Sequence, residues 1–197
     1  MGPEDRGLRG LGIEVITDAE DPRVHGECVR IARRVRQLQK KVIGLVPASA
    51  EVAVPPLAVQ LGLALVELSG ATVAFVDANV RWPAMSALVE GEPAGTDSLF
   101  ATRWLRGSLA LLVPPRAGDA GAGVPQLKRL IEHGAELFAH VLVDLTGFDR
   151  LGEHLSAVAL CEGVLIVARA GRTREPELRR LAGELPSERN LGVVLIG

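Results

Sequence analysis

The side chains of this sequence that could carry chemistry are few and scattered. The histidines show no H-x-x-x-H or cysteine-linked spacing, and the two cysteines lie too far apart for a metal motif. These residues are His25, His133, His140, His154, Cys28 and Cys161. The sequence has no G-x-S-x-G elbow and no catalytic cysteine–histidine pattern. We therefore expect no metal site and no nucleophilic triad.

The elements that would position a site are short aliphatic runs alternating with helix-like segments. Mostly unbroken aliphatic runs are typical of strands buried on both faces of a parallel sheet. The predicted strands are Val42–Val46, Thr72–Val76, Leu109–Val113, Val141–Val143, Val164–Ala168 and Val193–Ile196. The predicted helices are Pro22–Gln39, Pro55–Leu68, Ala84–Val89, Gln126–Ala139, Leu151–Cys161 and Glu175–Glu184. The alternation predicts an α/β fold, a three-layer α/β/α doubly wound domain with a mostly parallel sheet.

Ligands of such sheets bind beyond the carboxyl ends of the strands. The ends that follow Val46, Val76 and Val143 are therefore the places to examine for a site. The glycine-rich, charged beginning of the chain carries no such pattern. We expect residues 1–21 to form a flexible N-terminal segment and residues 22–197 to form a single domain.

Composition narrows the class of protein. The chain has 197 residues, of which 48% are hydrophobic, and its net charge is -2, which suits one globular domain. So balanced a charge gives no reason to expect a nucleic-acid partner. No apolar run reaches the roughly 18 residues that cross a bilayer, and the N-terminus has no apolar core of a signal peptide. We expect a cytoplasmic protein with reduced cysteines and no direct membrane insertion.

Several segments, in order, resemble bacterial tyrosine kinases, which belong to the ParA/MinD branch of P-loop ATPases. The run from Lys41 to Pro47 and the helix that follows look like the first strand, phosphate loop and helix of that family. The stretch Thr72–Pro83 resembles its acidic V-D-x-D-x-R-x-P motif, and His140–Thr146 resembles its Walker B strand. The last two predicted strands are similar as well. The resemblance covers residues 22–197 and implies a P-loop NTPase-like fold.

The phosphate loop departs from the family pattern. Aligned from the helix backwards, the family's G-K-S-T falls on Ala53, Val54, Pro55 and Pro56. A P-loop surrounds phosphates with backbone amides, a lysine charge and a hydroxyl on Mg²⁺. Val54 has no charge, the prolines have neither hydroxyl nor N–H, and Glu51 adds a carboxylate where phosphates would lie. Losing three or four charge-assisted hydrogen bonds costs on the order of 6 kcal/mol, or roughly 10⁴-fold in affinity.

The resemblance also assigns two acidic strand ends and one helix. Asp77 and Asp144 align with carboxylates linked to Mg²⁺ in the family, and Asn79 replaces the family's second aspartate. Without a phosphate loop these carboxylates are expected to be vestigial, and either to accept hydrogen bonds from neighbouring amides or to contact solvent.

Upstream of the first strand, Glu27, Arg30 and Arg33 match the E-x-x-R-x-x-R helix with which the kinases assemble into rings. On spacing alone the same residues also fit a solvated face with local ion pairing. We expect an oligomer or partner interface there.

These features predict a pseudo-ATPase, a non-catalytic homologue that binds no nucleotide cofactor and acts as a regulatory subunit. Family resemblance implies a role in bacterial exopolysaccharide synthesis or export, with attachment to the inner membrane only through a partner. The partners would be further copies of the chain, an active homologue, or the cytoplasmic part of a membrane polysaccharide chain-length regulator. The sequence has no tyrosine, so it cannot phosphorylate its own tyrosines.

Two alternatives stay open. One is a diverged ATPase or tyrosine-kinase-like enzyme with an unusual nucleotide site, and the other is a ParA/MinD-like positioning protein.

Overall fold

The computed structural model describes residues 3–79, 85, 88, 100–113 and 123–197. Helices are named α and strands β, each numbered in chain order. The elements are α1 (Pro3–Gly10), α2 (Pro22–Gln37), β1 (Val42–Pro47), α3 (Pro55–Ser69), β2 (Val73–Val76), β3 (Ala101–Leu105), β4 (Leu109–Val113), α4 (Gly123–Leu137), β5 (His140–Asp144), α5 (His154–Ala159), β6 (Gly163–Arg169), α6 (Glu175–Glu184) and β7 (Asn190–Ile196). The predicted helix Ala84–Val89 falls largely outside the described residues.

The described strands form one sheet in the order β3-β4-β2-β5-β1-β6-β7. Every neighbouring pair is parallel except β3 and β4, which run antiparallel. The prediction of a doubly wound, mostly parallel sheet is therefore confirmed. β1 lies between β5 and β6, so its carboxyl end opens onto the middle of the sheet edge where ligands of this architecture bind.

Two apolar layers sandwich the sheet. On one face α2 and α3 pack against alternate strand residues, among them Leu45 and Phe75. On the other face α4, α5 and α6 pack against the intervening residues, including Val46 and Val76. The central strands are buried on both faces, which explains their unbroken aliphatic sequences.

The N-terminal segment contains a helix and contacts the domain. Residues 3–10 form α1, and Leu8 and Ile13 are buried in the same core as α2 and α3. Gln60 of α3 donates to the carbonyl of Ile16 at 2.8 Å and accepts from its amide at 3.1 Å. The flexibility of residues 1–21 stays a prediction.

Within the described residues, none of the helices is both long and apolar enough to cross a lipid bilayer.

Candidate functional site

The segment between β1 and α3 occupies the position of a phosphate-binding loop at the middle of the sheet edge. Its first part continues the sheet, because the amide of Ala48 donates to the carbonyl of Val167 in β6 at 2.8 Å. The chain then makes a short turn in which the amide of Val52 donates to the carbonyl of Ser49 at 3.1 Å. The strand, loop and helix are therefore arranged as the family resemblance predicts.

The second part of this loop alternates between exposed residues and buried aliphatic residues. Val52 and Val54 are buried and belong to the core beneath α2 and α3, and Val54 has no exposed surface at all. Glu51 and Ala53 alternate with them and are exposed. The position that the resemblance aligns with the phosphate-binding lysine thus holds an aliphatic side chain that is part of the core.

The start of α3 offers few donors. Val54 is its N-cap residue and makes no side-chain capping bond, and Pro55 and Pro56 occupy the first two helical positions. A helix N-terminus normally presents about four unpaired amides to an anion, and two of these are absent here because proline has no N–H. The prolines suit the helix start, where their N–H would have had no intrahelical partner. The start of α3 therefore has ordinary helix geometry but about half the free amides of a helix N-terminus without prolines.

These residues do not fit a nucleoside triphosphate with Mg²⁺. No lysine, serine or threonine stands in the four aligned positions, and the carboxylate of Glu51 in the same loop would repel phosphate.

The acidic strand ends lie beside the loop. Asp77 follows Val76 and Asp144 follows Val143, and these two valines are paired on the adjacent parallel strands β2 and β5. Neighbouring strands are spaced by about 4.8 Å, so the two carboxylates are close neighbours at the sheet edge. Both residues are completely buried.

Each carboxylate is half-satisfied. One oxygen of Asp77 accepts the amide of Met85 at 2.7 Å, while one oxygen of Asp144 accepts the amide and the hydroxyl of Thr146 at 2.9 and 2.5 Å. The other oxygen of each residue is buried without a hydrogen-bond partner in the described structure. Both aspartates accept hydrogen bonds from nearby amides, neither contacts solvent, and each has one oxygen without a partner in the described structure. That the pair is vestigial stays a prediction.

Burial governs the protonation of this pair. Removal from water raises the pKa of Asp77 to about 6 and that of Asp144 to about 7, and the nearby Asp77 charge adds to the rise at Asp144. Carboxylate oxygens are donors that divalent cations take, but the described residues contain no cluster of three or more such side chains that could hold a metal ion.

The rest of the acidic motif is only partly described. Asn79 is half-buried beyond the end of β2. Arg81 and Pro83, which complete the family's motif, lie outside the described residues.

Helix α2 carries the predicted interface residues on its outer side. Glu27, Arg30 and Arg33 are all exposed, and Arg30 contacts Glu27 through Nε at 2.8 Å and a terminal nitrogen at 2.7 Å. The opposite side of the helix, with Cys28, Ala32 and Val35, is buried against the domain. Glu27, Arg30 and Arg33 therefore form one solvent-facing surface on α2, in a different part of the sequence from the acidic strand ends.

Sequence reasoning missed a cavity on the other side of the loop. It has a volume of about 460 Å³ and is lined by the first part of the loop, the segment after β5, and helices α5 and α6. Its polar lining includes Thr146, Arg150 and His154. The polar residues that follow the predicted strand ending at Val143 were the only hint of this cavity in the sequence. That α6 forms the facing wall depends on tertiary structure.

Known structures similar to this chain include bacterial tyrosine-kinase domains and ParA/MinD ATPases. The BceF tyrosine kinase domain is 19% identical over 98% of this chain and 87% of its own, with a TM-score of 0.69. The kinase domain of the Escherichia coli tyrosine kinase ETK is 15% identical over 86% of this chain and 75% of its own, with a TM-score of 0.64. The MinD cell division protein of Aquifex aeolicus is 20% identical over 79% of this chain and 68% of its own, with a TM-score of 0.55.

Sequence comparisons add no closer relative, since no protein-family model and no curated protein matches the chain. The structural likeness agrees with the resemblance found in the sequence motifs. This chain has the P-loop NTPase-like fold of bacterial tyrosine-kinase domains and ParA/MinD ATPases.

Proposed function

We propose that this chain is a pseudo-ATPase, a non-catalytic homologue of bacterial tyrosine kinases that acts as a binding or regulatory subunit. The observation that carries the proposal is the burial of Val54 in the core, at the position aligned with the phosphate-binding lysine. A side chain that stabilises the domain from this position cannot also supply charge to a phosphate. The two prolines that follow remove amides from the same place.

The proposed setting is cytoplasmic, in bacterial exopolysaccharide synthesis or export, with attachment to the inner membrane through a partner. This setting rests on the resemblance to bacterial tyrosine kinases. The proposed partners are further copies of the chain, an active homologue, or the cytoplasmic part of a membrane polysaccharide chain-length regulator. The surface proposed to contact them is the outer side of α2, where Glu27, Arg30 and Arg33 are exposed.

Titration calorimetry with Mg-ATP and Mg-ADP tests the absence of nucleotide binding. We expect no saturable heat for this chain at nucleotide concentrations up to about 1 mM, because a loss of roughly 10⁴-fold moves a micromolar site beyond that range. The ETK kinase domain, measured in parallel, is the positive control for nucleotide quality and metal content. A dissociation constant in the low micromolar range would contradict the proposal.

A diverged ATPase or tyrosine-kinase-like enzyme is the second candidate. It is favoured by the acidic pair, because Asp77 and Asp144 each keep a buried oxygen without a partner in the described structure. A neighbouring subunit would have to supply the phosphate-binding groups that the loop lacks. This candidate predicts Mg-dependent release of ADP from ATP that disappears in Asp144→Asn, while the pseudo-ATPase predicts no release from either protein.

A further inference from the structure

The basic residues of this chain are concentrated in one stretch. Residues 30–41, called the basic stretch below, contain four arginines, two lysines and no acidic residue. Because the whole chain has a net charge of -2, the remaining residues together carry -8 against the +6 of this stretch. The near-neutral total therefore conceals one strongly basic stretch in an otherwise acidic molecule.

The charges of the basic stretch are available to a partner. Arg30, Arg33 and Arg34 are exposed on the outer side of α2. Arg30 is partly neutralised by its contact with Glu27. Arg33, Arg34 and Lys40 make no ion pair and no side-chain hydrogen bond within the described part of the chain. Their charges are therefore not compensated by neighbouring carboxylates.

The basic stretch ends at the edge of the sheet where the parallel strands begin. Arg36 donates to a carbonyl in the last turn of α3 at 2.7 Å. Nδ1 of His140, at the start of β5, donates to the carbonyl of Lys40 at 3.2 Å, and the amide of Lys41 donates to the carboxylate of Glu162, just before β6, at 2.8 Å. The loop after β1 and the acidic pair lie at the opposite edge, where the same parallel strands end.

The composition of the basic stretch indicates an array of anionic groups as its partner. It contains no aromatic, serine, threonine or asparagine side chain, with which proteins commonly stack on bases or contact base edges. A nucleic acid, as a long polyanion, would also meet the acidic remainder of the molecule. A planar anionic surface meets one side of the molecule only, so the uneven charge orients the chain towards it.

We propose that the outer side of α2 and residues 37–41 bind the anionic head groups of a phospholipid membrane. Clusters of about four to eight basic residues on a helix are typical of such surfaces. The apolar side of α2, with Cys28, Ala32 and Val35, is buried in the domain, so the helix lies on the head groups without inserting. The inference goes beyond the proposed function, in which a partner supplies the attachment, and does not depend on the loss of nucleotide binding.

Co-sedimentation of the full chain with vesicles tests this proposal. One set of vesicles contains equal parts of phosphatidylglycerol and phosphatidylcholine, and the other contains phosphatidylcholine alone. We expect binding to the anionic vesicles at about 0.05 M NaCl, its loss at about 0.5 M NaCl because salt screens the charges, and no binding to the neutral vesicles. Equal binding to both sets, or no binding to the anionic set at low salt, would overturn the proposal.

Arg34→Gln with Lys40→Gln removes two charges outside the Glu27–Arg30–Arg33 set. Each basic residue near an anionic membrane contributes about a fivefold gain in binding, so we expect this double variant to bind the anionic vesicles roughly 20-fold more weakly. The matched control is Arg179→Gln with Arg180→Gln, which removes two exposed positive charges from α6 and should leave binding unchanged. An equal loss in both double variants would mean that net charge alone is responsible, which also overturns the proposal.

Two further measurements separate the membrane from other partners. Sedimentation of Arg34→Gln with Lys40→Gln without vesicles should match that of the parent chain, because Arg30 and Arg33 are unchanged. A shift towards monomer that accompanies the loss of vesicle binding would overturn the proposal, since the stretch would then act through assembly. Tighter binding to a short DNA duplex or to polyglutamate than to the anionic vesicles would overturn it as well, because the stretch would then select a different polyanion.

Discussion

Two neighbouring regions at the sheet edge have opposite effects on the stability of the domain. The loop after β1 places Val52 and Val54 in the core, where each buried valine contributes about 1.5 kcal/mol or more. The strand ends after β2 and β5 bury Asp77 and Asp144, each with an oxygen that has no partner in the described structure. The loop therefore adds to stability, and the ionised carboxylates subtract from it.

The difference teaches that packing accounts for one of these regions and not for the other. Aliphatic side chains after β1 are compatible with the fold because the core accepts them. Removing a buried carboxylate would also favour the fold, so packing does not explain why these two residues are present. The comparison makes the acidic pair the part of this edge that most needs a functional explanation.

The largest effect is expected from Val54→Lys, which restores the lysine that the resemblance places here. Because Val54 is fully buried, we expect the variant to lose about 3–5 kcal/mol of unfolding free energy, measured by denaturant titration. Ala53→Lys, at the exposed neighbouring position, is the matched control and should change stability by about 0.5 kcal/mol or less. A stable Val54→Lys protein that binds Mg-ATP would contradict this comparison. It would show that the loop of the parent chain needs only the lysine charge to bind the nucleotide, and that Val54 is not required in the core.

The next effect concerns pH and the acidic pair. Asp77 and Asp144 have folded-state pKa values of about 6 and about 7, above the value of about 3.9 for an unfolded aspartate. The folded chain therefore holds these protons more tightly, so their stabilising effect is complete below pH about 4 and is lost as the pH rises through 6 to 7. His140 and His154, with lowered pKa values, act in the opposite direction, so a single protein's pH profile is ambiguous.

The difference between two proteins removes that ambiguity. Asp144→Asn should be more stable than the parent chain by up to about 4 kcal/mol at pH 8, because about three pKa units separate the folded and unfolded states, and nearly equal to it at pH 4, measured as melting temperature against pH. Asp18→Asn, at an exposed position, should follow the parent profile. Destabilisation by Asp144→Asn at pH 8 would mean that the ionised carboxylate has a favourable contact beyond those described, and would favour the enzyme alternative.

The sequence predicted most of this fold because its central strands are aliphatic on both faces. β1, β2, β4, β5, β6 and β7 all lie at predicted strands, and α6 begins and ends at the predicted residues. β3 was not predicted, since it is an antiparallel edge strand in which Thr102, Arg103 and Trp104 keep part of their surface in solvent. Such a strand has neither the continuous apolar run nor the clean alternation that marks a strand in sequence.

The candidate site was less predictable for reasons of tertiary structure. The replacement of phosphate-binding residues could be inferred from Val54, Pro55 and Pro56 alone. That Val54 is part of the core, and that Asp77 and Asp144 each have an oxygen without a partner in the described structure, depends on how the faces of the sheet are covered. The cavity lining joins Arg150, in the turn after β5, to Arg180 of α6, and residues so far apart in the sequence meet only in the folded chain.

The smallest effect on stability, and the one that isolates assembly, is expected on α2. The Glu27–Arg30 ion pair is on the surface, with side chains 62% and 75% exposed, and such pairs contribute about 0–1 kcal/mol. Arg30→Ala with Arg33→Ala should therefore leave the unfolding free energy within about 0.5 kcal/mol of the parent while shifting the sedimentation profile towards monomer. A shift in sedimentation with unchanged unfolding free energy would indicate an interface. A loss of unfolding free energy with unchanged sedimentation would indicate a structural role.

Helix α6 provides the matched control for this experiment. Its Arg179–Glu175 and Arg180–Glu184 ion pairs both have distances of 2.6 Å and exposed side chains, so Arg179→Ala with Arg180→Ala removes the same two positive charges. We expect this double variant to leave sedimentation unchanged. If both helices give the same shift, the effect comes from net charge, and if neither does, the outer side of α2 is a solvated face. Either result would leave the loop and the acidic pair as the regions from which function must be argued.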